Sequence, residues 1–209
     1  MEEKAIGLVT RTRPLTESSL IVEWLSEDQG RLSTVAKGAR KPKSPFRGRL
    51  DLFFRCEFSF IPSRRSTLHT LKEVKLVDVN DHLRTDWHRL SAAVFILRLL
   101  EMASEKETPL AELYSLMVEL LDELSQSAPP ALLEVKYELK LLAELGVLPN
   151  LNTSKLPRPA RALALLLLDQ TPSPVIHDEA FCGSLDAIRQ FLHGHWIYTF
   201  GRRPKRAKG

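Results

Sequence analysis

The stretch L-F-F-R-C-E-F-S-F-I-P, Leu52–Pro62, alternates in chemistry along its length. Cys56, Phe58 and Phe60 fall on one side, and Arg55, Glu57 and Ser59 on the other. Period two with one apolar face is the mark of a half-buried strand. The stretches around it read the same way. Upstream, Ala5–Arg13 is apolar and β-rich, and Ser18–Leu25 follows a turn at Pro14. Asp28-Gln29-Gly30 is a hairpin signal, with Arg31–Lys37 as the returning strand. Downstream, Ser63-Arg64-Arg65-Ser66 makes a turn and Thr67–Val79 closes the set. Five strands in about 80 residues, joined by short turns, suit a small closed barrel. The five-stranded OB-fold, which binds oligonucleotides along one face, is the commonest such case.

Between the third and fourth strands lies R-L-S-T-V-A-K-G-A-R-K-P-K-S-P-F-R-G-R-L, Arg31–Leu50. It carries Arg31, Lys37, Arg40, Lys41, Lys43, Arg47 and Arg49 and no Asp or Glu. Gly38, Pro42, Pro45 and Gly48 exclude a helix, so these cations sit on a strand end and a loop. A basic loop with one aromatic, Phe46, suits a phosphate backbone with unstacked bases. The plain alternative is a solvated surface loop; the absence of any acid favours nucleic acid.

At Asp81 the period changes from two to that of a helix. Leu90, Val94 and Leu97 recur at helical spacing over Trp87–Ser104, with Ala93, Ile96 and Leu100 beside them. Thr108-Pro109 reads as an N-cap and first-turn proline for a helix over Leu110–Ser125. Pro129-Pro130 precedes a third helix, Ala131–Leu145, with Gly146 as its C′ residue. A linker rich in Pro, Ser and Thr runs to Ala160, followed by a short helix over Arg161–Asp169. Thr171–Gly183 reads as irregular and Ser184–Phe200 as a last helix. The tail G-R-R-P-K-R-A-K-G, with Arg202, Arg203, Lys205 and Arg206, reads as a disordered basic segment and a second set of DNA contacts. The expected organisation is thus α+β in two domains: a barrel over residues 1–80, a helical domain over 81–200 and the tail over 201–209.

Charge is unevenly spread along the 209 residues. Residues 1–80 carry 15 Lys and Arg against 10 Asp and Glu, net +5. Residues 81–150 carry 6 against 12, net −6, and residues 151–209 carry 9 against 4, net +5. Two basic ends around an acidic middle suggest that the ends share an anionic partner. Within the acidic middle, Lys136 and Lys140 flank Tyr137 and Leu139 on one helix. Either they pair with surface carboxylates such as Glu134 and Glu138, or they form a cationic rim on an apolar groove for an acidic peptide.

Several chemistries are disfavoured. No P-loop and no G-x-G-x-x-G occurs. The carboxylates lie on outward helix faces with no acid–base couple apparent. Two distant cysteines, Cys56 and Cys182, make neither a C-x-x-C pair nor a four-ligand zinc site. His193 and His195, two apart on a helix, point to different sides and chelate poorly, even with His177 or Cys182 nearby in sequence. The longest apolar run, Ala162–Leu168, is too short to span a bilayer, and Glu2, Glu3 and Lys4 argue against a secretory signal. The expectation is a cytoplasmic, soluble protein that is not an enzyme and holds no metal or cofactor.

Three stretches resemble the RecO family of DNA recombination mediators: V-A-K-G-A-R-K-P-K-S at Val35–Ser44, Y-E-L-K-L-L-A-E-L-G-V-L-P-N-L at Tyr137–Leu151, and F-L-H-G-H-W-I-Y-T-F-G-R-R-P-K at Phe191–Lys205. They lie in family order over nearly the whole chain. The resemblance implies an N-terminal OB-fold, a C-terminal helical domain and a bacterial, nucleoid-associated protein without enzymatic activity. It implies binding of single- and double-stranded DNA and annealing of complementary strands. It also implies partnership with RecR, in helping to load the RecA recombinase on strands coated by single-strand-binding protein. The family's DNA contacts carry over to Lys37, Arg40, Lys41 and Lys43, and its contact with the single-strand-binding protein's C-terminal tail to Lys136 and its neighbours. One departure stands out. Many members insert a four-cysteine zinc module after P-N-L, whereas here Asn152-Thr153-Ser154-Lys155 follows. The barrel and basic loop would equally suit an RNA-binding OB module, such as a ribosome-associated factor, but the acidic helical half suits it less well. A histidine-based hydrolase and an adaptor for acidic proteins are more distant rivals.

Overall fold

A computed structural model describes residues 1–126, 128–169 and 179–206, apart from the side chains of 179–182. Two compact units emerge: residues 1–81 with 105–115, and residues 82–104 with 116 onward.

The first unit is a closed barrel. Its strands are β1 (Glu3–Pro14), β2 (Leu20–Ser26), β3 (Gly30–Ala36), β4 (Arg55–Ile61) and β5 (Leu68–Asp78). Their order is β1-β2-β3-β5-β4, with β4 returning to β1. All pairings are antiparallel except β3 with β5, and this is the five-stranded OB arrangement. Closure leaves the barrel sheet no free edge. The alternation of Leu52–Pro62 is realised in β4, with Cys56, Phe58 and Phe60 buried inside. Trp24 stacks on Phe58 with ring centroids 4.1 Å apart, and its indole N–H donates to Thr34 Oγ1 at 2.9 Å. That bond satisfies a polar group which would be costly to bury alone.

The strand begins three residues later than the alternation suggested. Leu52–Phe54 turn instead, with Phe53 at φ 62°, and pair with the bulged middle of β1. Phe53 N–H donates to Val9 O at 2.8 Å, and Val9 N–H to Phe54 O at 2.9 Å.

Residues 105–115 belong to the barrel unit, which the helical reading of that region did not anticipate. Lys106 bridges in parallel to Arg31, and Glu107 N–H donates to Arg31 O at 2.9 Å. Gly30 makes this possible. Its φ is +63°, and a Cβ there would lie 1.7 Å from Thr108 O. Thr108 therefore packs on the β2–β3 turn, and its hydroxyl donates to Lys106 O at 3.5 Å rather than capping a helix.

The second unit holds α1 (His82–Thr85), α2 (Trp87–Ala103), most of α3 (Ala111–Leu124), α4 (Pro130–Glu144), α5 (Arg158–Leu168) and α6 (Glu179–Phe200). Eight consecutive residues of α4, Leu132–Leu139, are buried, as are Leu141 and Leu142, so α4 lies at the centre of this unit. It ends as expected at Gly146, φ +69°, with Gly146 N–H on Ala143 O and Val147 N–H on Leu142 O. α6 starts earlier than expected, so residues 179–183 are helical; the irregular stretch read at 171–178 lies outside the described residues. Among the described residues, no helix is long and apolar enough to cross a membrane.

Candidate nucleic-acid interface

The basic loop leaves β3 at Ala36 and proceeds through successive turns to β4. Lys37, Arg40, Lys41, Lys43, Arg47 and Arg49 are all exposed, while Arg31 on β3 is half-buried. Three of the arginines are fixed by backbone carbonyls. Arg40 Nη1 donates to Thr16 O at 3.2 Å, Arg47 Nη1 to Pro42 O at 3.1 Å, and Arg49 Nη1 to Val74 O at 3.0 Å. Arg40 N–H also donates to Ser18 O at 3.0 Å, which ties this loop to the β1–β2 loop. A carbonyl orients a guanidinium without neutralising it, so the positive field of the loop is kept. Lys37, Lys41 and Lys43 make no ion pair among the described residues.

Phe46 does not stand out as a stacking platform. It is 7% exposed and packs with Val9, Val22, Trp24 and Leu32 in the barrel core, with Ala39 beside it. The loop therefore plugs the end of the barrel through Ala39 and Phe46 while its cations face water. An isolated aromatic in a polar loop is indistinguishable in sequence from an exposed one; the open barrel end decides the matter.

The neighbouring surface adds cations that the sequence reading passed over. β1 places Arg11 and Arg13 beside Glu23 of β2, at 3.8 and 3.5 Å, with both arginine side chains 57% exposed. Register pairs Arg13 with Ile21 and Ile21 with Val35 across β1, β2 and β3, two residues before Lys37. Arg64 and Arg65 are exposed in the β4–β5 turn. Both sets were visible as R-T-R on a strand and R-R in a turn, the β4–β5 turn being one that borders the binding face in OB-folds.

The C-terminal cations divide. Arg202 and Lys205 are exposed. Arg203 is docked on α4, its Nη2 2.7 and 2.8 Å from the two Glu138 oxygens. Arg206 pairs with Glu134. Both guanidiniums lie over the Phe95 ring, at 4.8 and 5.3 Å, and Arg98 Nη1 donates to Lys205 O at 3.2 Å. The tail is thus ordered through Arg206, and two of its four named cations are engaged by carboxylates within the helical unit. Residues 207–209 lie outside the described residues.

The cationic rim expected on α4 is not an open groove. Lys136, Tyr137 and Leu139 are buried, and Lys136 Nζ sits 2.7 and 2.9 Å from the Glu123 oxygens. Lys140 is the partly exposed member and pairs with Glu119 at 3.0 Å. The two ammonium groups lie 5.6 and 5.2 Å from the Tyr137 ring centroid. Burial, with Glu123 close by, pushes the Tyr137 hydroxyl far above its ordinary range.

Nothing in the described residues assembles a metal site; no group of three or more His, Cys, Asp or Glu side chains is placed to hold an ion. His195 Nε2 is 2.7 Å from Val147 O, whereas His193 is exposed. His177 and the Cys182 side chain lie outside the described residues. Cys56 is buried in the barrel, which pushes its thiol up to about 12 and makes it a poor nucleophile.

A closed OB barrel with an acid-free cationic loop, followed by helices, is an architecture that nucleic-acid-binding proteins use, and sequence comparison narrows the class. Residues 1–80 match the family described as Recombination protein O N terminal, and residues 84–155 match Recombination protein O C terminal. The chain is 33% identical over 152 residues to a DNA repair protein RecO of Exiguobacterium sibiricum, covering 73% of this chain and 60% of that protein. A DNA repair protein RecO of Listeria monocytogenes is 29% identical over 150 residues, covering 72% and 58%. One from Desulfitobacterium hafniense is 32% identical over 203 residues, covering 91% and 73%. The chain belongs to the RecO family. Its match spans about 60% of the length of the first two of these relatives.

Proposed function

We propose that this chain is a non-enzymatic DNA-handling protein of repair and recombination. It binds single- and double-stranded DNA and brings complementary strands together. With RecR it helps place the RecA recombinase on strands coated by single-strand-binding protein. The observation that carries this reading is the loop Lys37–Arg49, with six cations and no acid, mounted at the end of a closed OB barrel. Lys37, Lys41 and Lys43 are exposed with no ion pair among the described residues, so their charge is available to phosphate.

The mechanism is electrostatic. Each phosphate neutralised releases condensed counterions, which drives binding irrespective of sequence. Two like-charged strands screened by the same cations can then approach, and base pairing supplies the specificity. No bond is made or cut. Arg11, Arg13, Arg64 and Arg65 extend the track, and exposed Arg202 and Lys205 offer contacts on the helical unit. For an acidic tail of the single-strand-binding protein, Lys140 is the accessible member of the α4 set; Lys136 would have to leave Glu123 first.

The test is annealing of complementary oligonucleotides coated with single-strand-binding protein, with and without this chain. Acceleration that fades with rising salt is expected. No acceleration at low salt would contradict the proposal.

A further inference from the structure

Beside the barrel mouth, the basic loop borders an open surface recess of about 430 Å³. Such a volume lies within the roughly 300–1,000 Å³ range of small-ligand pockets. Its floor is apolar: Leu20 from the start of β2, Phe46 and Leu50. Leu20 and Leu50 are half-buried, and Phe46 contributes only the little of its ring that the core leaves uncovered. Its rim is Arg40, Lys41 and Arg47, and no Asp or Glu lines it.

Two of the rim groups are held before any ligand arrives. Thr16 O orients Arg40 and Pro42 O orients Arg47, each through a single Nη1 contact. A guanidinium has five N–H donors, so most remain for an anion. An apolar floor under a wholly cationic rim suits a flat heterocycle joined to phosphate.

We infer that this recess takes a single unstacked nucleotide of a DNA strand, its base against Leu20, Phe46 and Leu50 and its flanking phosphates on Lys41 and Arg47. The inference rests on the DNA-binding reading above and deepens it. It also changes the part played by Phe46, which meets a base from below, as the bottom of a recess, and not as a free platform. Holding one nucleotide out of the stack would present its neighbours to a complementary strand.

The test compares binding of the full chain to an oligothymidylate of roughly eight nucleotides with binding to an abasic phosphodiester of equal length and charge. A base seated on the floor makes the oligothymidylate bind about fivefold tighter or more. Leu50→Ser should bring that ratio towards one by weakening the oligothymidylate. Lys41→Ala should weaken both ligands alike and leave the ratio intact. Photo-crosslinking of 5-iododeoxyuridine oligonucleotides to the unmodified chain, with attachment expected within residues 39–50, serves independently of any variant's folding. Equal affinity for the two ligands, or attachment only elsewhere, overturns the recess while leaving the electrostatic reading standing. Failure of both ligands to bind at low salt overturns the DNA reading itself, and the recess with it. Thymidine 5′-monophosphate distinguishes the source of the nucleotide: displacement of the oligomer only at large excess is expected. Tight mononucleotide binding without any base preference in the oligomers would assign the recess to a free nucleotide instead.

Discussion

Arg203 grips Glu138 with both arms: Nη2 lies 2.7 and 2.8 Å from the two carboxylate oxygens, and Nε lies 3.1 Å from Oε1. The residues are 65 apart in sequence. Their side chains are 9% and 0% exposed. The contact closes the C-terminal segment onto α4 and makes Arg203 part of the helical unit's interior.

Replacing Arg203 by Ala should therefore destabilise the helical unit. Removing one partner of a buried pair leaves a charge without compensation, at a cost of about 3–5 kcal/mol. Arg202→Ala, at an exposed position one residue away, should change stability by less than about 0.5 kcal/mol. Urea unfolding followed by circular dichroism separates the two; equal effects would contradict the docking of Arg203.

The same pair gives a pH dependence. Burial pushes the Glu138 carboxyl up to about 7 from 4.5, against the pull of Arg203 and with Glu134 adding to the rise. Between those values the folded state holds a proton that the unfolded chain has released. Stability from this group is therefore fully present below 4.5 and is lost as pH rises through about 7. Burial also raises Glu134, opposed by Arg206, Arg189 and Arg203, so the comparison needs an isolating variant. The unfolding midpoint of the parent should fall more steeply over this window than that of Glu138→Gln. Parallel profiles would show that Glu138 does not titrate there.

Gly30 and Gly48 form a matched pair. Both have positive φ, +63° and +71°, but Gly30 faces Thr108 O while nothing lies within 4 Å of Gly48. Gly48→Ala should cost about 1–2 kcal/mol, the penalty of a left-handed backbone. Gly30→Ala should cost clearly more, because segment 105–115 must move away. Thermal unfolding of the two variants measures the difference.

Phe46→Ala tests the burial found here. Emptying a core site of an aromatic ring costs about 3–5 kcal/mol. The variant should unfold at lower urea even without DNA; unchanged stability would return Phe46 to the surface.

Much of the barrel was legible because strand alternation is local. Cys56, Phe58 and Phe60 declared their face within five residues, and the β2–β3 hairpin carried its own turn signal. What escaped depends on distant partners. Nothing near Phe46 announces the barrel mouth that it plugs. Nothing in G-R-R-P-K-R indicates that Glu138 and Glu134 wait on α4, so a charged tail read as disordered. Lys136 was read as a surface cation for the same reason, since Glu123, its partner, sits on another helix. Lys106 and Glu107 lie between helical patterns, yet they pair with Arg31 because Gly30 has no side chain to keep Thr108 away. The lysines of the basic loop were legible, since exposure there follows from Pro, Gly and the absence of acids.

The salt dependence of DNA binding tests the central claim most directly. On a single strand each phosphate contact contributes about 0.7 to the slope of log affinity against log salt. Replacing Lys37, Lys41 and Lys43 together by Ala should flatten that slope by about 2, weaken all sequences alike and leave the circular dichroism spectrum unchanged. An unaltered slope in a correctly folded triple variant would contradict the assignment of this loop to DNA.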